Sequence, residues 1–279
     1  MTTQGYTVRR DALVSRHTAL RTGGPCCAYL VAHDARGLLA ARKHCKEQGW
    51  SLQMLGAGTR IVGRDAGVSG ALLRLGEGFC YAREEGGVFT VGASFPVPAL
   101  LAYALGKGCG GLLHAAGVAG SFGASIALDD GWEDLVRSVT VVRRGRLAEI
   151  ALGDARKMRN VCIVSATLAL PVAMLGEDEA IRGVWSRGEG RSSGSWYAAP
   201  DGTSPRDVFA NVALQQVRLR RVMIPKAAPE MLVNLGGGTA EDLRLLGRST
   251  MDRVKRVRGV SLREAHKWIG STSPKREEG

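Results

Sequence analysis

The sequence predicts a mixed helix-and-strand chain of two or three modest domains. Three observations carry that prediction. The chain has 279 residues, more than one core of common size requires. Short apolar runs suited to strands alternate with longer runs of helical spacing. Glycine is abundant, at 38 residues, yet shows no tandem period, which excludes a solenoid. The composition, 45% hydrophobic and 23% charged, is that of a globular chain.

The elements follow in order. Residues 29–33, "YLVAH", read as a strand, and "ARGLLAARKHCKEQGW" as a helix with Leu38, Leu39, Ala41 and Cys45 at helical spacing. "SLQMLGAGTRIV" reads as strand, glycine turn and strand, so the first block is a βαβ unit with glycines at the end of its second strand. "GALLRLGEGF" and "GVFTVGAS" are further strands. "PVPALLAYALGKG" is a helix with proline near its start and glycine beyond its end. "RSVTVVRRGRLAEI" is a hairpin turning at Arg144-Gly145, and "VCIVSATLALP" a buried strand ended by Pro171.

Between Met174 and Ser193 the chain turns polar and loop-like. The last block holds a helix near Pro205 to Val212, strands near Arg221 and over Met231–Leu235, and a helix over Thr239–Val257. Thr239, three residues before Asp242, suggests a capping box. "VSLREAHKWIG" is a final strand, and the tail "STSPKREEG" is expected to be disordered.

No run approaches the roughly 18 apolar residues of a membrane span, and the N-terminus lacks the apolar stretch of a secretory signal, so the cytoplasm is the expected location. The six cysteines form no CxxC pair and lie near no histidine at ligand spacing. They read as buried free thiols, and no metal is expected. The net charge of +12 suits anionic partners. Basic residues gather at Arg218–Arg221 and Arg253–Arg258, and the second cluster reads as the wet face of an amphipathic helix. With few aromatic platforms, phosphorylated small molecules are expected rather than nucleic acid.

The stretch "LLHAAGVAGSFGASIALDD" has too little side-chain volume to pack a core well. Like "LGAGTRIVGRD", it could turn successive backbone N–H groups toward a phosphate, because glycine supplies the positive φ angles such nests need. For either loop alone, tight turns and close backbone packing are the better explanation. Neither fits a P-loop or an ordinary dinucleotide fingerprint.

"HTALRTGGPCCAYLV", "LGAGTRIVGRDAGVSGALLRL", "LLHAAGVAGSFGASIALDDG", "SSGSWYAAPDG", "MLVNLGGGTAEDL" and "GVSLREAHKWIG", in that order, resemble the UDP-N-acetylenolpyruvoylglucosamine reductases, the MurB family. The resemblance covers residues 15–270. It implies an α+β, three-domain flavoprotein of the compact subtype. Residues 1–76 and 77–173 would form a vanillyl-alcohol-oxidase-like (PCMH-type) FAD-binding fold, residues 174–270 a substrate-binding domain, and residues 271–279 a tail. By this likeness Gly56, Ala57, Gly58, Thr59 and Arg60 line one side of the FAD pyrophosphate. Gly117, Gly120, Ser121, Gly123 and Ser125 lie on the other side and near the flavin ring.

The implied reaction takes hydride from NADPH through FAD to the enolpyruvyl group of the UDP-sugar, in peptidoglycan precursor synthesis. Ser195 falls on the proton-donor serine. The family glutamate position holds Ala265, with Glu264 beside it as a substitute only if the strand bulges. The arginine is Arg156 or Arg159. The Lys-Asn pair of the family is Ala198-Ala199 here, and its Met-Asn pair is Leu128-Asp129. Two readings follow: an active reductase with a reworked site, expected as a monomer with no membrane or nucleic-acid partner, or a pseudoenzyme that keeps the fold and FAD.

Overall fold

The computed structural model describes residues 2–3, 5–128, 131–158, 161–174, 176, 191–198, 200, 203, 205–209, 212–214 and 217–271. They gather into two units. The first comprises Met1–Asp11, Cys27–Ala57 and Gly70–Ser186; the second comprises Ala12–Cys26, Gly58–Ser69 and Arg187–Gly279. Arg159, Ala199, Asp129, most of the polar segment after Met174 and the tail beyond Ser271 lie outside the described residues.

The first unit is built on two sheets. One runs β1 (Thr2–Thr3), β2 (Tyr6–Leu13), β3 (Pro25–Ala32), β6 (Val68–Leu75) and β4 (Leu52–Met54) in that spatial order. Helix α1 (Ala35–Glu47) joins β3 to β4 and starts at Asp34, whose carboxylate accepts the Gly37 N–H at 2.7 Å. Leu38, Ala41 and Cys45 are buried, as the helical spacing requires. The βαβ unit skips one strand, because β6 lies between β3 and β4 and pairs in parallel with β4.

The second sheet runs β10 (Arg146–Ile150), β9 (Val136–Arg143), β11 (Ile163–Ala169), β8 (Val88–Gly92) and β7 (Ala82–Glu85), all antiparallel. The β9–β10 hairpin turns at Arg144 and Gly145, both with positive φ, as a two-residue hairpin needs. Helices α2 (Val97–Gly106), α3 (Phe122–Leu128) and α4 (Leu152–Lys157) complete the unit. Leu30, Leu73, Phe89, Leu100, Phe122 and Trp132 are among the side chains of its single core. The small-residue stretch was expected to pack poorly, yet Ala115, Phe122 and Ile126 are core residues.

In the second unit β12 (Arg191–Ser195), β16 (Met231–Asn234), β15 (Val222–Met223) and β14 (Arg218–Leu219) form one sheet. The expected helix near Pro205 is a single turn, α5 (Pro205–Val208). Helix α6 (Ala240–Arg258) has the capping box at Thr239 and Asp242 and ends at Gly259 with φ +70°. Val254 is buried but Val257 is 54% exposed, so only one of the two valines faces the core. The expected final strand is two: β17 (Arg263–Glu264) pairs with β13 (Tyr197–Ala198), and β18 (Lys267–Ile269) pairs in parallel with β5 (Ile61–Gly63).

Asn234 braces this unit. Its amide donates to Leu20 O and Gly238 O, and its side-chain oxygen accepts from the Gly236 and Gly238 N–H groups. Asp65 accepts from Ala240 N and Glu241 N at the start of α6. All six cysteines are free. Cys26, Cys45 and Cys162 are buried, whereas Cys80 is exposed, against the expectation of uniform burial.

Candidate functional site

In the first unit the small-residue stretch packs against the segment after β8. Gly123 N–H donates to Ala93 O and Phe122 N–H to Phe95 O, while Gly120 O accepts from Val97 N–H. A Cβ on Gly123 would lie 2.5 Å from the Ala93 Cβ. One on Gly56 would lie 2.7 Å from Ser121 Oγ and 3.1 Å from the Ala124 Cβ. The two glycine-rich loops therefore meet at Gly56 and Ser121, and close packing accounts for Gly56 and Gly123. Gly117, with φ +82°, supplies the left-handed turn a backbone nest uses.

Beneath this stretch Trp132 donates from Nε1 to Ser125 Oγ at 3.1 Å. Its ring meets His114 edge-on at 4.7 Å and Phe122 at 5.4 Å. Ser121 and Ser125 are buried. Burial holds the His114 pKa below its ordinary value, so the ring stays neutral at pH 7. Arg156 donates from Nε to Ile126 O at 2.9 Å and pairs with Glu133, which ties α4 to the C-terminal end of α3.

In the second unit Gly58 has φ +73°, and a Cβ there would lie 2.1 Å from His17 O. Its carbonyl accepts from Ala19 N–H. Arg60 is partly buried, and desolvation lowers its pKa. Its guanidinium reaches Ala265 O at 3.5 Å, and its carbonyl accepts from Lys267 N–H.

Ser195 ends β12, after a register break against β16 in which Gly194 takes φ +79°. The Ser195 hydroxyl donates to Tyr197 O at 2.8 Å and accepts from Tyr197 N–H at 3.4 Å. Between them, Trp196 O accepts from Ala265 N–H at 2.9 Å. Ala265, at the position of the family glutamate, thus bonds the residue that follows Ser195. Tyr197 pairs with Glu264 and Ala198 with Arg263 in unbroken register, so the bulge that Glu264 would need is not formed. Its carboxylate instead accepts from Trp268 Nε1 at 2.6 Å and lines a 540 Å³ cavity with Arg64, Arg244, Arg248 and Lys255.

Sequence reasoning missed His266. Its ring stacks on Trp196 at 4.6 Å and 25°, and only 8% of the residue is exposed. Burial is the main cause of a pKa lowered to about 4; a hydrogen bond with the Trp196 backbone opposes it and the Arg60 charge adds to it. None of the motifs quoted for the resemblance singles out a histidine there. Asn234 was visible in a motif, but its bracing role was not.

The comparisons with known proteins agree along the chain. Residues 186–269 match the family described as UDP-N-acetylenolpyruvoylglucosamine reductase, C-terminal domain. The reductase of that name from Rubrobacter xylanophilus is 27% identical and covers 93% of this chain and 94% of its own. The one from Anaeromyxobacter sp. (strain Fw109-5) is 29% identical and covers 98% and 92%. Over nearly its whole length the chain is thus similar to UDP-N-acetylenolpyruvoylglucosamine reductases. The crystal structure of the reductase from Thermus caldophilus superposes with a TM-score of 0.73 at 21% identity, covering 95% of this chain and 99% of that one. At that identity the match speaks for the fold, which is the α+β reductase fold expected.

Proposed function

We propose that this chain reduces the enolpyruvyl group of UDP-N-acetylglucosamine enolpyruvate to give UDP-N-acetylmuramate, with FAD as cofactor and NADPH as reductant, in peptidoglycan precursor synthesis. The observation that carries the reading is Ser195, held by two hydrogen bonds to Tyr197 next to the Trp196 carbonyl that Ala265 N–H bonds. The relatives are named as reductases over nearly the whole chain, and we adopt the active reading over that of an inactive relative.

The residues fit a flavin diphosphate. Gly58 in the second unit and Gly117 in the first each take the left-handed conformation that a nest uses, and the partly buried Arg60 guanidinium supplies positive charge. Within the proposal Gly56, Ala57, Gly58, Thr59 and Arg60, with Gly117, Gly120, Ser121, Gly123 and Ser125, are the residues that hold it. FAD, when bound, supplies the transfer of hydride from NADPH to the substrate double bond.

Hydride addition at the β-carbon leaves a carbanion next to the carboxylate, and that carbon must gain a proton. Ser195 Oγ is the donor in this proposal. Its proton rests on Tyr197 O, and the Tyr197 N–H to Oγ bond is placed to support the oxyanion left after transfer. Arg156 and Glu264 have structural partners in their own units, and we assign them no step. Residues 1–76, 77–173 and 174–270 as functional divisions, a monomeric state and a cytoplasmic location complete the proposal.

Stopped-flow flavin absorbance tests it. Ser195→Ala should leave flavin reduction by NADPH nearly unchanged and slow reoxidation by the enolpyruvyl sugar by about 10²-fold or more. Equal reoxidation in both proteins removes Ser195 as the donor. Protein that binds no FAD overturns the proposal itself.

A further inference from the structure

We infer a second anionic-ligand site in the first unit, in the groove between α1 and the β9–β10 turn, suited to a nucleoside diphosphate. The groove has a volume of 810 Å³. That lies within the usual size of small-molecule sites, roughly 300–1,000 Å³. Its floor is apolar: Leu39, Ala40, Cys45, Leu52 and the half-buried Trp50. The Cys45 thiol is pushed up to about 11, mainly by burial, so it stays neutral and serves as apolar wall.

The rim is cationic. Arg42, Lys43, Lys46 and Arg144 line it, and no carboxylate does. Lys43 has Glu47 at 3.7 Å along α1, an exposed pair worth little. Arg10 adds a further positive charge at the edge, its guanidinium over the Trp50 ring at 5.3 Å and bonded to Gln48. Like charges gathered on one rim repel each other, and an anion relieves that repulsion.

Arg144 stands at the mouth of the groove. It sits at the hairpin tip with φ +50°, a left-handed conformation that favours glycine or asparagine. A Cβ at the neighbouring Gly145 would meet nothing within 4 Å, so the tip is open and packing does not demand an arginine beside it. The hairpin turn accounts for that conformation, and it leaves a large cation at the mouth of the groove.

The cations suit the phosphates, and the apolar floor with its indole suits a flat base. Beyond the Trp50 indole N–H and the Cys45 thiol no hydrogen-bonding side chain lines the floor, so the site should tolerate different bases.

Calorimetric titration with ADP, uridine and inorganic pyrophosphate tests this on the full chain. ADP is expected to bind saturably, and about tenfold or more tighter than pyrophosphate or uridine, because only ADP uses both rim and floor. Arg144→Gly relieves the backbone conformation, so the fold should hold while ADP affinity falls about tenfold. Adding Lys46→Glu should abolish the binding without changing reductase turnover. No saturable ADP binding overturns the inference. So does equal affinity in the wild type and the folded double variant, which would place the ADP in the reductase site. Pyrophosphate binding as tightly as ADP overturns the role of the floor.

Discussion

Lowering the pH should destabilise the second unit through His266. The ring is buried against Trp196 and its folded pKa is lowered to about 4, below the ordinary 6.5. As pH falls through 6.5 the unfolded chain takes up the proton first. The stabilisation from keeping this ring neutral is therefore fully present above about pH 6.5 and is lost as pH falls toward 4. Proton linkage over that interval gives about 3 kcal/mol in all, and about 2 kcal/mol between pH 7.5 and pH 5. That is a sizeable part of a typical folding free energy. His266→Phe keeps an aromatic ring on Trp196 and removes the titration. Urea unfolding of both proteins at a series of pH values would measure the effect. The difference between them should change by about 2 kcal/mol from pH 7.5 to pH 5. A difference that stays constant across that range would show that His266 does not titrate in the window and would refute the reasoning.

Asn234→Ala should cost about 3 kcal/mol or more by chemical denaturation, because four hydrogen bonds go and buried backbone groups lose their partner. A loss under 1 kcal/mol would mean that water replaces the brace. Asp65→Ala should cost about 1–2 kcal/mol, from two lost bonds at the start of α6; an unchanged unfolding midpoint would count against the cap. Gly58→Ala should destabilise even before any cofactor is considered, since the new Cβ would meet His17 O. Loss of flavin in a Gly58 variant is therefore no clean measure of cofactor contact, and comparing apoprotein melting temperatures would show it.

Much of the fold was legible because it is local. The Arg144-Gly145 turn, the Thr239–Asp242 capping box and the apolar spacing of α1 are each written within a few residues. What could not be read depends on distant partners. "VSLREAHKWIG" has the apolar run of one strand, but Glu264 pairs with Tyr197 and Lys267 with Ile61, so the chain changes sheets in between. No local pattern announces that. The glycines show the same limit. Their spacing suggested a phosphate cradle, yet Gly56 and Gly123 are required by Ser121 and Ala93, which only the folded chain brings near. The serine proposed as donor was named from its motif, while His266 was not noticed, since its burial against Trp196 depends on a partner seventy residues away.

The pairing of β18 with β5 bears on how the protein is made. Ile61 leaves the ribosome some two hundred residues before Lys267, its partner, is synthesised. Asp65 waits nearly as long for the helix end it caps, and Leu20 O longer still for the Asn234 amide. Closing so wide a loop adds little to the equilibrium cost but slows the search for it. The nascent chain therefore carries these early segments without their partners until translation is almost complete. A gene fragment that starts near residue 187 would produce α6 and β18 with neither Asp65 nor β5 to receive them. Such a fragment should aggregate or be degraded unless the residues 12–26 and 58–69 are supplied alongside it.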